Sequence, residues 1–298
     1  MSTERRNPHS VDIDLFPTER ILKIINGEDA QIAGIVASAI PDITKAVDAA
    51  VAAIKSGGRI LYIGAGTSGR LALLDSVECP PTFGSPPDWV QAVLAGGASA
   101  FAQAKEESED DRRQAEADLK EKKISAKDFV IGVAASGKTP YTQAGLEFAK
   151  KQGAKTAALV SVTGSPMSKI ADITICTAVG PEVISGSTRM KAGTAQKLVL
   201  NMISTSMMIR LGMTYSNWMV NVSMTNQKLR ERGMQILREI LGLHDDELTK
   251  LVDQSDGDLK LSIIMGALGC DRKEAEKLLS ANEGNLRKII AHLGTGRE

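Results

Sequence analysis

Three glycine- and hydroxyl-rich segments hold most of the chemistry this sequence can do. The first, Gly64-Ala65-Gly66-Thr67-Ser68-Gly69-Arg70, follows a short apolar run and opens a helix. Its G-x-G-x-x-G spacing is also that of a dinucleotide-binding turn. Thr67 and Ser68 fill the variable positions, however, and the next apolar run ends near Leu94 and leads into Ala95-Gly96-Gly97, with no acidic ribose ligand. Glycines and hydroxyls at a helix N-terminus suit a phosphate monoester better, because backbone N–H and side-chain O–H groups both point at the anion. A tight turn without a ligand is the alternative. The second segment, Ala134-Ala135-Ser136-Gly137-Lys138-Thr139-Pro140, again closes an apolar run. Pro140 suits a first helical turn and Thr139 its N-cap. The segment's Gly137-Lys138-Thr139 ending is also that of a P-loop. The third, residues 180–197, places hydroxyls, glycines and the cations Arg189, Lys191 and Lys197 ahead of an apolar helix. It suits an anionic ligand, with a charged surface loop as the alternative.

The acid–base groups available to these segments are restricted. The three histidines, His9, His244 and His292, lie near the chain ends and outside all three segments. A Ser-His-Asp triad or a two-histidine metal site in the central fold is therefore disfavoured. Cys79, Cys176 and Cys270 are odd in number and far apart, which argues against a disulfide framework and a zinc cage. Proton transfer has to fall to carboxylates, Lys, Tyr or water.

Positioning the segments requires strands that end at them. Short apolar runs at 59–63, 90–94, 129–133, 156–162 and 173–178 alternate with helix-length stretches such as 108–122 and 140–152. That alternation predicts an α/β fold with a doubly wound, mostly parallel five-stranded sheet, whose carboxyl ends bring the loops into one crevice. Residues 17–56 read as helical, and a long helix is expected over about 192–211. Its four methionines between 202 and 213 read as core filler. Beyond about residue 243 the pattern changes to short amphipathic helices, where Ser255-Asp256-Gly257-Asp258-Leu259 and Asn282-Glu283-Gly284-Asn285-Leu286 repeat one cap motif. The expected domains are an N-terminal helical segment at 1–56, a ligand-binding domain at 57–243 and a small helical module at 244–298.

Composition bounds the partners. With 298 residues and 43% apolar content the chain can build a substantial core. Lys+Arg 36 balance Asp+Glu 36, and aromatics are 3%, so neither a cationic field nor a stacking platform for nucleic acid is present. No apolar run spans a bilayer and none resembles a signal peptide, so a cytoplasmic protein is expected.

Taken together, these residues carry a family resemblance. The two hydroxyl-rich loops look like those of the sugar isomerase (SIS) domain, which binds phosphosugars. Residues 180–197 are similar to the signature shared by the glucokinase regulatory protein and the bacterial N-acetylmuramic acid 6-phosphate etherases. With Asp75-Ser76-Val77-Glu78-Cys79-Pro80-Pro81-Thr82-Phe83-Gly84 and Ala95-Gly96-Gly97 added, the likeness to the etherases runs from about Asn7 to Leu243. The C-terminal module resembles their small ubiquitin-associated-like end.

The resemblance implies release of D-lactate from N-acetylmuramic acid 6-phosphate, leaving N-acetylglucosamine 6-phosphate, with no metal or organic cofactor. It implies catalytic roles for Glu78, as the proton donor, and for Glu109 in acid–base catalysis. Glu78 is the only acid in an apolar, proline-rich stretch, where partial burial would raise its pKa. Glu109 stands among acidic neighbours on what reads as a solvated face, and Glu107 occupies a position that is Gly in many family members. Gly66, Thr67, Ser68, Ser136, Gly137, Lys138, Thr139, Ser187 and Lys191 are expected around the phosphate and sugar hydroxyls. Arg70, Arg189 and Lys191 are candidates for the lactyl carboxylate. A homodimer is implied, since SIS domains usually dimerise. The rival readings are a non-catalytic phosphosugar sensor, like the glucokinase regulatory protein, and a phosphosugar isomerase. The sensor is about twice as long with two SIS domains, and the Glu-Cys-Pro-Pro segment argues against the isomerase.

Overall fold

The computed structural model describes residues 4–103, 105–221, 224 and 226–290; His292 lies outside them. Five parallel strands, β1 (Ile60–Gly64), β2 (Val90–Leu94), β3 (Phe129–Val133), β4 (Lys155–Val160) and β5 (Ile173–Cys176), form one sheet in the order β2-β1-β3-β4-β5. Strands β1 and β3 are buried along their whole length, as continuous apolar runs covered on both faces must be. Ile60 pairs in register with Val90 on one side and Phe129 on the other. The strand order therefore reverses at β1, and this is where open α/β sheets bind their ligands.

The helices that precede and connect these strands are α1 (Thr18–Asp29), α2 (Ile32–Ser38), α3 (Ile40–Lys55), α4 (Gly66–Phe83), α5 (Arg112–Glu121), α6 (Pro140–Lys151) and α7 (Pro166–Ile170), and α8 (Lys191–Arg210) follows β5. The core packs Leu61, Ile63 and Val130 of the sheet against Leu119, Leu146 and Met167 of the helices. Strand and helix come close together at Gly69, where a Cβ would lie 2.4 Å from Leu94 Cδ1 and 2.7 Å from the Gly64 carbonyl oxygen. The third glycine of the G-x-G-x-x-G spacing is thus explained by packing. All five expected strands form, within one or two residues at most ends.

Two local features differ from expectation. Residues 106–109 form a 3₁₀ turn rather than the start of a helix, and α5 begins only at Arg112, where the Asp111 side chain accepts from the Gln114 N–H. Helix α4 runs through Pro80 and Pro81 to Phe83. Neither proline has an N–H, so the Ser76 and Val77 carbonyls receive no intrahelical bond from them.

By its internal contacts the chain divides into two compact units, residues 1–78 with 87–207 and residues 79–86 with 208–298. Residues 208–243 fall in the second unit with the helices that follow them. The ribbon β6 (Thr214–Tyr215) with β7 (Trp218–Met219) and the helix α9 (Gln227–Leu241) supply Tyr215, Val220, Ile236 and Leu237 to the same core as the later helices. Those helices are α10 (Asp245–Gln254), α11 (Leu259–Leu268), α12 (Arg272–Ala281) and α13 (Leu286–Ile289). The repeated cap motif folds alike both times. Asp256-Gly257 and Glu283-Gly284 adopt positive φ, and the Asp258 and Asn285 side chains then cap α11 and α13. Of the four methionines, Met207 and Met208 are buried while Met202 is exposed. No described helix is long and apolar enough to cross a membrane.

Candidate active site

A cleft of about 310 Å³ opens at the carboxyl ends of β1 and β3. Each of the three sequence segments reaches it. Gly66, Thr67 and Ser68, the first residues of α4, form one side, and Ser136 and Thr139 of the β3–α6 loop form another. Gly186 and Thr188 come from the segment before α8. Thr139 occupies the N-cap of α6 without a side-chain capping bond, and Ser136 Oγ accepts from the Lys138 N–H at 3.2 Å. Two helix N-termini with adjacent hydroxyls make the cleft attractive to an anion.

The facing wall is acidic. Glu109 approaches the first turn so closely that a Cβ on Gly66 would lie 2.7 Å from Glu109 Oε1, and Gly66 also has φ +52°. Any side chain at residue 66 would therefore be strained and would displace the carboxylate. Glu109 is partly buried, not on a solvated face. Burial, and then the neighbouring charges of Glu106 and Asp110, push its pKa up, while Arg70 opposes them.

Arg70 holds this wall in place. Its Nε donates to the carbonyls of Ala100 and Phe101 at 3.0 and 3.1 Å, and Nη2 donates to that of Gln103 at 3.4 Å. A guanidinium engaged in this way secures the loop leading to Glu109. Arg70 also lines the cleft, so one guanidinium both braces this loop and borders the ligand space. Arg70→Met should make residues 97–110 the first site of limited proteolysis, with cleavage at least about tenfold faster, since bonds from a charged donor are worth roughly 1.5–3 kcal/mol.

The remaining expected residues are not in the lining. Gly137 is needed for the backbone: its φ is +63° and a Cβ would meet Ser165 Oγ at 2.4 Å. Lys138 and Arg189 are exposed outside the cleft, and Ser187 lies between two lining residues. Lys191 is a correction to the sequence reading, because it is buried in an ion pair with Glu28. Glu28 also accepts from Asn7 Nδ2 at 2.8 Å, and His9 Nδ1 lies 2.7 Å from its other oxygen. The turn is completed by Glu182, fully buried, whose carboxylate accepts the Lys191 and Ala192 N–H groups at 2.9 Å each and so caps α8.

Burial alone would raise the Glu28 pKa, but hydrogen bonds from Lys191, His9 and Asn7 outweigh it and hold the group at about 2, against an ordinary 4.5. A carboxylate lowered in this way adds stability that is complete above pH 4.5 and is lost as pH falls through 2, about 3 kcal/mol in all. Acid titration of folding stability should therefore be steep from pH 4.5 to 2 in the parent protein and flatter in Glu28→Gln.

Glu78 departs most from expectation. It lies on α4 twelve residues beyond Gly66, about 18 Å along the axis at the helical rise. The side chain is exposed, so the anticipated burial is absent within one chain. It borders a separate hollow with Asp75, Lys197, Asn201 and three leucines, Leu71, Leu74 and Leu200. Asp75 behind it is buried and accepts from Tyr62 Oη (3.0 Å), Asn201 Nδ2 (2.7 Å) and Ser204 Oγ (3.0 Å). Burial pushes its pKa up, against those bonds. Leu74 and Val77, next to Glu78 on the same helix, are 46% and 54% exposed.

Comparison with known proteins is decisive about the family. The chain is 45% identical over 290 residues to the N-acetylmuramic acid 6-phosphate etherases of Salmonella dublin and Salmonella typhimurium, covering 97% of this chain and 98% of each relative. It belongs to the N-acetylmuramic acid 6-phosphate etherase family. A family model for the glucokinase regulatory protein N-terminal SIS domain matches residues 42–150 of this etherase-family chain, and the SIS domain model matches 114–206. A phosphoheptose isomerase from Francisella tularensis shares the fold, with a TM-score of 0.51 at 19% identity over 64% of this chain and 98% of the isomerase.

Within this family member the cleft also holds residues that the sequence reading did not assign. Thr188 adjoins the expected Ser187, and Lys105 and Glu106 precede Glu109 on the same turn. Glu4 enters from the chain's beginning, where no motif marks it. Among the described residues no group of three or more His, Cys, Asp or Glu side chains is arranged to hold a metal ion.

Proposed function

We propose that this chain cleaves the D-lactyl ether of N-acetylmuramic acid 6-phosphate in the cytoplasm as a homodimer, giving N-acetylglucosamine 6-phosphate and D-lactate. In the open-chain sugar the C2 proton is acidified by the C1 aldehyde, and the lactyl ether at C3 is a β leaving group. A base removes the C2 proton, an acid protonates the departing ether oxygen, and water then adds to the unsaturated aldehyde at C3. Two carboxylates supply both proton transfers.

The observation that carries this reading is the placing of Glu109 against the phosphate-type turn at Gly66. The phosphate sits at the N-termini of α4 and α6, with Thr67, Ser68, Ser136 and Thr139 as donors, and the sugar reaches toward Glu109. Burial makes Glu109 a stronger base once ionised than an exposed glutamate, which suits removal of a carbon-bound proton.

The acid role of Glu78 needs a second copy of the chain. On a single chain, Glu78 is turned to solvent at the far end of α4 from the cleft, flanked by exposed Leu74 and Val77. An apolar helix face with one carboxylate on it is a self-association surface, and a two-fold partner buries it together with Glu78. The working site then takes Glu109 from one subunit and Glu78 from the other. Incubating the purified protein with N-acetylmuramic acid 6-phosphate and assaying free D-lactate tests the activity. A protein that interconverts aldose and ketose phosphates without releasing lactate is an isomerase instead.

A further inference from the structure

We propose that Glu4 is a substrate-contacting group of the cleft, delivered by an anchored N-terminal arm, and that it accepts hydrogen bonds from the polyol part of the bound sugar phosphate. The inference rests on the function proposed above and extends it to a residue outside the three segments. The arm is a built feature. Asn7, buried, donates from Nδ2 to Glu28 and to the Pro181 carbonyl, the latter at 3.3 Å. Ser10 Oγ donates to the Val183 carbonyl at 2.7 Å, and Ser185 Oγ donates to the carbonyl of Glu4 itself at 3.2 Å. The buried Lys191–Glu28 pair thus fixes the arm to the same segment that lends Gly186 and Thr188 to the cleft.

From that arm the Glu4 side chain reaches the cleft wall. Its Oε2 lies 3.4 Å from where a Cβ would stand on Gly186, a residue at φ +77°. The chemistry of the cleft decides which part of the ligand it meets. The helix N-termini and hydroxyls are donors and take the phosphate. A carboxylate facing that dianion would repel it, whereas sugar hydroxyls and an acetamido N–H are donors that need acceptors, and a charged acceptor makes the stronger bond. Glu4 therefore faces the neutral part of the ligand.

Titration calorimetry with two probes, N-acetylglucosamine 6-phosphate and inorganic phosphate, separates the possibilities for wild type, Glu4→Gln and Glu4→Ala. Wild type should bind the sugar phosphate more tightly than inorganic phosphate. Glu4→Ala should lose at least about tenfold in affinity for the sugar phosphate, Glu4→Gln should fall between it and wild type, and both should bind inorganic phosphate as well as or better than wild type. An unchanged sugar-phosphate affinity in Glu4→Ala overturns the proposal. So does an equal loss for both probes, which marks a collapsed arm rather than a lost acceptor. Wild type binding the sugar phosphate no more tightly than inorganic phosphate overturns the functional reading beneath it.

Discussion

Glu78→Gln should slow lactate release by at least about 10²-fold, the usual worth of a positioned general acid, while C2 of the substrate still exchanges its proton with deuterated water. Glu109→Gln should lower exchange and release together by a similar factor. The asymmetry follows from the order of events. Exchange needs only a base at C2, and Glu109 stands beside the Gly66 turn with its basicity raised by burial and by Glu106 and Asp110. Ether cleavage needs a proton delivered to the leaving oxygen as well. Both rates are read in one NMR experiment for each variant. If Glu78→Gln abolishes exchange and Glu109→Gln preserves it, the two roles are exchanged, and if neither variant is impaired, neither carboxylate is catalytic.

Mixing the two dead variants should restore activity. Glu78 and Glu109 lie at opposite ends of the ground covered by α4, one in an exposed apolar hollow and the other in the cleft. If each site draws them from different subunits, a dimer of one Glu78→Gln chain and one Glu109→Gln chain holds one intact site and one doubly defective site. Random exchange makes half of the dimers mixed, so specific activity should rise from about a hundredth to about a quarter of wild type. A site contained in one chain would show no recovery. Dilution of the mixed sample below the dimer dissociation range should abolish the recovered activity.

Much of this arrangement was legible in the residues. Continuous apolar runs bounded by glycine located the five strands, because a strand covered on both faces leaves little ambiguity in pattern. The hydroxyl-rich turns at Thr67-Ser68 and at Ser136 and Thr139 pointed to the cleft for the same reason that they form it: a helix N-terminus begins where a strand ends. What could not be read was long-range pairing. Lys191 carries a charge next to hydroxyls and looks like a ligand group, yet Glu28, 163 positions earlier, claims it. Arg70 reads as a ligand group and does line the cleft, but its bonds to the carbonyls of Ala100, Phe101 and Gln103 carry no local signal. Glu78 was expected to be shielded by the prolines that follow it. Helix α4 instead continues through Pro80 and Pro81 and leaves the carboxylate outside. Acidic neighbours made Glu109 look solvated, but the 3₁₀ turn at Glu106–Glu109 leaves it partly buried in the cleft while Glu107 and Asp110 are exposed.

The most direct test of the central claim, elimination across C2 and C3 followed by addition of water, is the fate of oxygen when N-acetylmuramic acid 6-phosphate is turned over in ¹⁸O-labelled, deuterated water. D-lactate should keep its original hydroxyl oxygen, and N-acetylglucosamine 6-phosphate should carry solvent oxygen at C3 and solvent hydrogen at C2, read by isotope-shifted ¹³C NMR and mass spectrometry. Labelled oxygen in the lactate hydroxyl with an unlabelled C3 oxygen would place the broken bond on the lactyl side and contradict it.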